Sequence, residues 1–396
     1  MSNWTRRRVF CGAAALSALP LLGANKQAAG ATKAPKPLVH TTDLFRPFND
    51  PDDHWDLATA YALACQGDLD LLGVLTDNPE NFEQSPELLK VLASFVDDAH
   101  VARSPDVAAV AQLIYLTERA VPITTGTIWP TTPGEKVRAN NLPKKLQGVN
   151  MLLGILERSS QPVAIIIGGS CQDVAIAGEK APKLFTEKCA GIYLNAGIGS
   201  QNPKEQSIGG NVEWNVSLNR GAYATIFELP CPIYWMPCFG AFDMNNDVAI
   251  REHGTFWSFQ YKEVVPYLSN RMQAYFAYVL SKESGTNWLS YLLDSKSANL
   301  AHQYFEKKKG MWTTTAFVHA AGKTVTVDGK VVAPQAAVED AVFDFVPIEV
   351  HCDENGITEW QQAKGPTDRY IFRVRDGNKY PKAMLAALKS MLLALP

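Results

Sequence analysis

Short apolar runs alternate with longer amphipathic segments through much of this 396-residue chain. We predict strands at 37–42, 69–76, 121–125, 163–167, 189–195 and 232–235, and helices at 52–66, 86–96, 107–119, 147–157, 220–229 and from 173 onward. Strands separated by helices of about 10–15 residues indicate βαβ units. The expected fold class is therefore α/β, with a mainly parallel twisted sheet flanked by helices. In such sheets ligands bind beyond the carboxyl ends of the strands.

The last third of the chain has a different pattern. Residues 241–310 are rich in Phe, Tyr and Trp and are predicted to be mostly helical. Late strands are predicted at 342–350 and 371–374, a closing amphipathic helix at 380–395, and a small hairpin at 322–332. No long linker rich in Pro, Gly or Ser divides the chain, so residues 32–396 are expected to form a single domain.

The first 31 residues have the composition of an export signal. Arg6, Arg7 and Arg8 precede an apolar run that ends near Leu22, and residues 29–31 are small. This pattern is typical of a twin-arginine signal peptide and predicts a periplasmic or secreted protein. The apolar run is shorter than the roughly 20 residues that a spanning helix needs, so no stable membrane anchor is expected. An uncleaved anchor is the alternative.

Charge and cysteine content exclude some classes of protein. The formal net charge is −3, so there is no basic excess that would indicate a nucleic-acid partner. Six of the seven cysteines follow the predicted signal, and no Cys/His spacing suggests zinc. Disulfides are permitted in an exported protein, but most of these cysteines are expected to be buried thiols. The composition is compatible with a homo-oligomer.

Five aspartates fall within fourteen residues after the first predicted strand. Asp50 can cap the following helix, Pro51 suits its first position, and Asp52 and Asp53 complement its dipole. Asp43 is not explained in this way, because it ends the strand and should point into the same crevice. Packed carboxylates repel each other unless some are protonated or a cation joins them. A cation that prefers oxygen ligands, such as Ca²⁺, would suit this cluster.

A strand that ends in Asp, followed by an Asp-Asp pair that opens a helix, resembles the inosine-uridine nucleoside hydrolase superfamily. The usual motif of that superfamily is DxDPGxDD. Asp43 matches the last aspartate of the strand, and Asp52 and Asp53 match the closing pair. The loop between them is longer and has no glycine, and Thr41 stands at the first aspartate of the motif. The match is closer to exported nucleoside hydrolase-like proteins that carry Thr-Asp before Pro-Asp-Asp.

Further motifs follow in chain order, so that the resemblance covers most of residues 37–395. Residues 72–78 resemble the second strand with its terminal asparagine, 168–175 the GPLTNxA turn, and 213–216 the EFN segment. If residues 213–215 are extended, Glu213 and Asn215 lie on one face. The resemblance implies a general base at Asp43, calcium ligands at Asp43, Asp53 and Gln172, and substrate contacts from Asp52, Asn78, Glu213 and Asn215.

These motifs imply an exported, calcium-dependent hydrolase that cleaves the N-ribosyl bond of a nucleoside or a related glycosidic bond. Asp43 would activate the attacking water, and the partner would be a small-molecule nucleoside or sugar. The late His-Asp pair of the superfamily is missing, because residues 311–315 read Met-Trp-Thr-Thr-Thr. The alternative is a non-catalytic carbohydrate-binding protein on a nucleoside hydrolase-like fold.

Overall fold

A nine-stranded sheet organises the protein, whose computed structural model describes residues 34–46, 51–78, 104–128, 136, 138, 146–207, 210–241, 252–281, 288–294, 297–336 and 339–396. Residues Pro35–Pro396 cluster as one compact unit. The strands are β1 (Lys36–Thr42), β2 (Phe45–Arg46), β3 (Leu69–Asn78), β4 (Ser104–Pro105), β5 (Ile123–Ile128), β6 (Val163–Gly168), β7 (Cys189–Leu194), β8 (Ile233–Trp235), β9 (Trp257–Gln260), β10 (Lys308–Met311), β11 (Thr324–Val325), β12 (Val331–Val332), β13 (Phe343–Cys352), β14 (Thr358–Gln362) and β15 (Arg369–Val374).

Seven neighbouring strands of the large sheet are parallel, which confirms the predicted fold class. The strand order is β14-β13-β15-β8-β7-β6-β1-β3-β5, and β13 pairs antiparallel with both β14 and β15. The chain passes from β1 to β3 and β5 on one side, then crosses to β6 and continues through β7 and β8 on the other. β1 and β6 therefore flank the point where the strand order reverses. Ligands of open parallel sheets bind at such a point, beyond the strand ends.

Helices cover both faces of this sheet and bury two separate cores. Leu38 of β1 packs in one core and its neighbour Val39 in the other, as the alternation of side chains along a strand requires. The helices are α1 (Asp52–Cys65), α2 (Val107–Thr117), α3 (Gln147–Arg158), α4 (Gln172–Lys180), α5 (Pro182–Lys188), α6 (Trp214–Leu218), α7 (Arg220–Ile226), α8 (Asn270–Leu280), α9 (Trp288–Leu293), α10 (Ser297–Leu300), α11 (Thr314–Ala320) and α12 (Tyr380–Leu392).

The segment 241–310 departs from the mostly helical prediction. β9 and β10 pair as an antiparallel ribbon within it, in addition to the helices α8, α9 and α10. Trp257 and Phe259 are buried, while Ser258 between them is exposed. This period of two is typical of a strand and was hidden in the sequence by the high aromatic content of the whole segment. The predicted hairpin at 322–332 is confirmed by the pairing of β11 with β12.

Two sequence predictions concern parts of the chain that the structure does not describe. The helix at 86–96 lies outside the described residues, and so does the export signal at 1–31, which stays a prediction. Within the described ranges, no helix combines the length and the apolar character needed to cross a membrane. The six cysteines beyond residue 31 are free thiols, and all except the half-buried Cys65 are buried.

Candidate active site

Polar side chains from four distant parts of the chain meet at the carboxyl ends of β1, β3, β6 and β7. Asp43 follows β1, Asp77 is the last but one residue of β3, Ser170 follows β6, and Asn195 follows β7. Asp43 is half-buried and the other three are buried. Because neighbouring parallel strands end at the same edge of a sheet, these residues form one site beside the reversal of strand order.

Asp43 and Asp53 share a hydrogen bond between their carboxyl groups at the centre of this site. Asp53 lies in the first turn of α1, and the hydroxyl of Thr42, the last residue of β1, donates to Asp53 Oδ1. Trp214 Nε1 donates to Asp43 Oδ2 at 2.7 Å. Two buried carboxyl groups in contact do not both ionise, because their like charges repel, so this pair shares a proton.

The surroundings of the pair place that proton on Asp53. Burial raises the pKa of Asp43, but hydrogen bonds from Asp53 and Trp214 oppose the rise. Burial also raises the pKa of Asp53 well above its ordinary value, and the negative charges of Asp43 and Asp52 add to that rise. The pKa of Asp43 is thus raised less than that of Asp53, because Asp53 and Trp214 both donate hydrogen bonds to it. These are the properties that a general base needs at neutral pH.

Asp52, like Asp43, is partly exposed and can be reached by a ligand. Its side chain is 16 % exposed, and Lys309 Nζ lies 3.8 Å from its Oδ1. Burial, followed by the charges of Asp56 and Asp43, raises the pKa of Asp52 well above its ordinary value. The contact with substrate that the sequence predicted for Asp52 is compatible with this position.

Asp77 belongs to the site, although the sequence interpretation selected its neighbour Asn78. Asp77 Oδ2 accepts the backbone N–H of Ser170 at 2.6 Å, and burial followed by the charge of Asp43 raises the pKa of Asp77 well above its ordinary value. A Cβ at Gly169 would lie only 2.4 Å from Asp77 Oδ2, so glycine is needed where the turn after β6 meets this carboxylate. Asn78 is half-buried, and its predicted substrate contact stays a prediction.

Glu213 and Asn215 are not on an extended segment, which corrects the sequence prediction. Glu213 is the N-cap of α6, and Asn215 lies within that helix. The carboxylate of Glu213 accepts the backbone N–H groups of Gly197 at 2.8 Å, Asn215 at 2.9 Å and Val216 at 3.3 Å. Burial raises the pKa of Glu213 to about 6, and these three hydrogen bonds oppose the rise. The carboxylate thus serves the backbone, because the first turn of a helix leaves its N–H groups without partners.

A network centred on Asn195 extends this side of the site. Asn215 Nδ2 donates to the backbone oxygen of Asn195, and the hydroxyl of Thr313 donates to Asn195 Oδ1, both at 2.9 Å. Asn195 Nδ2 donates to the carbonyl of Met236 at 2.9 Å. A Cβ at Gly168 would lie 3.6 Å from Thr313 Oγ1, so a threonine hydroxyl stands beside the end of β6. The His-Asp pair of the superfamily would fall in this part of the chain.

Gln172 is fully buried at the first position of α4, and its carboxamide is engaged by other residues. Its Nε2 donates to the carbonyls of Thr127 at 3.0 Å and Ile128 at 3.3 Å. Its Oε1 accepts Asn219 Nδ2 at 3.1 Å. The carboxamide therefore ties the end of β5 to the start of α7, and the ligand role predicted for Gln172 stays a prediction.

The donors on this edge of the sheet do not fit a complete calcium shell. Calcium takes six to eight oxygen ligands. Within the described ranges, no three His, Cys, Asp or Glu side chains are arranged to hold a metal ion. One oxygen of Asp43 already accepts Trp214, and one of Asp53 accepts Thr42. The carboxylates have the right chemistry for calcium, but the acidic side chains of the described residues do not by themselves complete its shell.

Sequence reasoning assigned no role to several residues that the structure brings to the site, among them Asp56. The hydroxyl of Thr314 donates to Asp56 Oδ1 at 3.2 Å, while Oδ2 has no hydrogen-bond partner among the described residues. Burial raises the pKa of Asp56 to about 7. Its presence among five closely spaced aspartates was visible in the sequence. Its burial was not, because α1 is buried on all sides from Asp53 to Ala64, which depends on tertiary packing.

Comparisons with known proteins find likeness in structure only. No family model and no curated protein matches the sequence. A purine-preferring ribonucleoside hydrolase from Gardnerella vaginalis matches with 14% identity and a TM-score of 0.48, covering 90% of this chain and 99% of its own. An inosine-guanosine nucleoside hydrolase matches with 12% identity and a TM-score of 0.47, covering 89% and 99%. An inosine-uridine preferring nucleoside hydrolase from Bacillus anthracis matches with 12% identity and a TM-score of 0.42, covering 90% and 99%.

These structures belong to the group of proteins that the motifs of this chain resemble. With such low identities and TM-scores below 0.5, the likeness by itself says nothing about activity. The α/β fold class is established by the strand order of this protein itself. Its acidic residues lie where that strand order reverses.

Proposed function

We propose that the protein hydrolyses a glycosidic bond, and that its substrate class is the nucleosides, cleaved at the N-ribosyl bond. The observation that carries the proposal is the buried pair of Asp43 and Asp53 at the reversal point of the sheet, in which one proton is held unequally. Burying two carboxyl groups against each other costs stability. Groups with such strongly perturbed pKa values cluster at functional sites. The motifs named in the sequence supply the substrate class.

In the proposed reaction, water attacks the anomeric carbon and gives a proton to Asp43. The bond from that carbon to the base breaks, and the departing base takes its electron pair and a proton from solvent. Trp214 holds the carboxylate in place through its indole N–H, and Asp53 keeps the shared proton on its own side of the pair. Glycosidic bonds break through a transition state with positive charge on the sugar ring. The carboxylate of Asp43 would stabilise such a charge, and Asp52 can form a hydrogen bond with a sugar hydroxyl. The calcium ion implied by the resemblance has no part in these steps.

The test is turnover of a panel of purine and pyrimidine nucleosides by purified protein that lacks residues 1–31, measured as reducing sugar released. The variant Asp43→Asn should reduce the rate by about 10²- to 10⁴-fold, which is the usual contribution of a positioned general base. Asp70→Asn is the matched control, because Asp70 is exposed at the opposite end of β3. Full activity in Asp43→Asn would remove the proposed base.

A second candidate is a carbohydrate-binding protein without turnover. The missing His-Asp pair favours it, because residues 311–315 read Met-Trp-Thr-Thr-Thr and supply no acid to protonate a leaving group. Calorimetry with ribose and the same nucleosides separates the two proposals. Binding with no sugar released across the panel would support the second candidate and contradict the first.

We also propose that the chain is exported through its twin-arginine segment. The support is the sequence of residues 1–31 alone. A fusion of these residues to a reporter should reach the periplasm, and replacement of Arg7 and Arg8 by lysine should retain the reporter in the cytoplasm. Export of the double variant at the original level would contradict this route.

A further inference from the structure

Two buried cysteines lie side by side at the end of the sheet opposite the candidate site. Cys189 is the first residue of β7, and Cys231 lies two residues before β8. The two residues are 6 % and 3 % exposed, and their thiols share a hydrogen bond. The candidate site lies at the carboxyl ends of the strands, so the proposed hydrolysis uses neither thiol.

The register of β7 and β8 explains why these two residues meet. The strands are parallel neighbours, and Ile192 pairs with Ile233. Continued by two residues, this register places Cys231 opposite Ala190, which adjoins Cys189. Strands about 4.8 Å apart, with a rise of about 3.3 Å per residue, then bring the two cysteine Cα atoms to about 6 Å. A disulfide spans Cα atoms roughly 4.4–6.8 Å apart, so no large movement is needed to join them.

An irregularity in β7 turns Cys189 toward the same core as Cys231. The pairing of β6 with β7 skips Ala190, which is exposed. A skipped residue interrupts the alternation of side chains along a strand. With strict alternation, Cys189 and Ile192 would lie on opposite faces of the sheet. Instead both of them pack in one core together with Cys231.

The backbone around both cysteines is held in place by other parts of the fold. The guanidinium of Arg369 donates to the carbonyls of Leu229 at 2.7 Å and Cys231 at 2.8 Å. Cys189 is held by the pairing of β7 with β6, where its partner is Val163. The two sulfur atoms are therefore positioned against each other before any bond forms between them.

We propose that Cys189 and Cys231 are a disulfide site that closes the loop of residues 189–231 under oxidising conditions. The two sulfur atoms join, and their two protons and two electrons pass to an external disulfide such as oxidised glutathione, which is cleaved to two thiols. The bond stabilises the fold by restricting the unfolded chain. The loop carries Asn195, Glu213 and Trp214 of the candidate site, but the proposal does not depend on any hydrolysis there.

Burial determines when this bond can form. Exchange with an external disulfide needs a thiolate that the oxidant can reach. The hydrogen bond with Cys231, followed by burial, raises the pKa of Cys189 well above its ordinary value. The folded protein should therefore react slowly, and local opening of this end of the sheet should speed the reaction.

A thiol count after oxidation tests the pairing. Residues 35–396 form one compact unit, so protein without residues 1–31 is suitable. It is incubated with oxidised glutathione in urea below the unfolding transition, then unfolded and alkylated. Wild type should lose two of its six thiols, and trypsin should release residues 189–204 joined to residues 221–251. The second peptide also contains Cys238, so Cys231→Ala is compared with the matched control Cys65→Ala. Cys231→Ala should keep all its thiols, whereas Cys65→Ala should still lose two.

Thermal unfolding gives a second readout. Oxidised wild type should unfold roughly 3–6 °C above the same sample after reduction, because the bond restricts the unfolded chain. Reduction should change the Tm of Cys231→Ala by less than about 1 °C. Wild type that keeps all six thiols would overturn the proposal, and so would the same joined peptides in Cys231→Ala. Neither readout requires nucleoside hydrolysis, so failure of the proposed function would leave both unchanged.

Discussion

The acidic groups on the two sides of the site differ in their hydrogen bonding: carboxyl groups face one another on one side, and backbone N–H groups bind the carboxylate on the other. One side, which we call the aspartate side, is formed by Asp43, Asp52, Asp53, Asp56 and Asp77. Burial together with like charges raises the pKa of Asp52, Asp53 and Asp77. On the glutamate side, formed by Glu213 with Asn215 and Asn195, hydrogen bonds satisfy the polar groups. Three backbone N–H groups bind the carboxylate of Glu213.

We therefore expect the aspartate side to lower the free energy of unfolding and the glutamate side to raise it. Buried polar groups are normally paired, and a group held in an unfavourable setting indicates a functional constraint. Asp43 and Asp53 are in such a setting, whereas Glu213 is an N-cap in a well-satisfied position. The chemistry is therefore expected on the aspartate side, and the glutamate side is expected to position the loops around it.

The largest expected effect is the loss of activity in Asp43→Asn, a variant that should keep its stability. Asp43→Asn should lose about 10²- to 10⁴-fold in nucleoside hydrolysis and yet unfold at the same or a higher temperature, because it removes a buried like charge. Calorimetric unfolding and sugar release on one preparation measure both. A large fall in Tm in parallel with the lost activity would place Asp43 among the structural residues.

The second effect concerns pH. Burial raises the pKa of Asp56 to about 7, from 3.8 in the unfolded chain. Between these values the folded protein keeps a proton that the unfolded chain releases, so stability should fall as the pH rises from about 4 to about 7, by up to about 4 kcal/mol. Asp56→Asn should flatten this slope and stabilise the protein at pH 8. Denaturant unfolding across this pH range gives the slope, and an unchanged slope in the variant would contradict the assignment.

The third effect lies on the glutamate side and should have the opposite character. Glu213→Gln replaces an acceptor oxygen by an amide that cannot accept the N–H groups of Gly197 and Val216. The free energy of unfolding should fall by about 1–3 kcal/mol. Activity per folded molecule should change less than in Asp43→Asn. Chemical denaturation measures the free energy of unfolding, and sugar release per folded molecule measures the activity. A stable but inactive variant would show that Glu213 acts in catalysis.

The smallest effect links the two sides. Trp214 belongs to α6, which Glu213 caps, and its indole N–H donates to Asp43. Trp214→Phe keeps the ring packing but removes this hydrogen bond, which should cost about 1 kcal/mol, or roughly fivefold in kcat, with KM nearly unchanged. Steady-state kinetics would show this split, whereas a change in KM alone would indicate a direct contact between Trp214 and substrate.

The regular part of the fold was predictable because local pattern and tertiary environment agree there. Most residues of the strands β1, β3, β6 and β7 are buried. Near-continuous apolar runs of that length are typical of parallel strands with both faces covered. The ribbon of β9 and β10 was missed because its pairing joins segments far apart in sequence. β14, which pairs with β13, was also missed, since its exposed polar residues give no apolar signal.

The site was predictable in the same unequal way. Asp43, Asp52 and Asp53 were selected because they cluster between a strand end and a helix start and because their order resembles the DxDPGxDD motif. Asp77 was passed over for Asn78, and only the turn at Gly169 shows which of the two meets Asp43. Glu213 was assigned a substrate contact because residues 213–216 resemble the EFN segment. In the structure it is the N-cap of α6, and its oxygens accept backbone N–H groups.

By itself the sequence determined the α/β class, the strands that carry the site, and the presence of a dense group of aspartates at its mouth. These follow from hydrophobic period and local spacing, which short segments encode. Only the tertiary structure decided which carboxyl groups touch and which are buried. The reason is physical: ionisation in a protein depends on burial and on charges brought from distant parts of the chain. The raised pKa of Asp77, which is buried near the charge of Asp43, is an example.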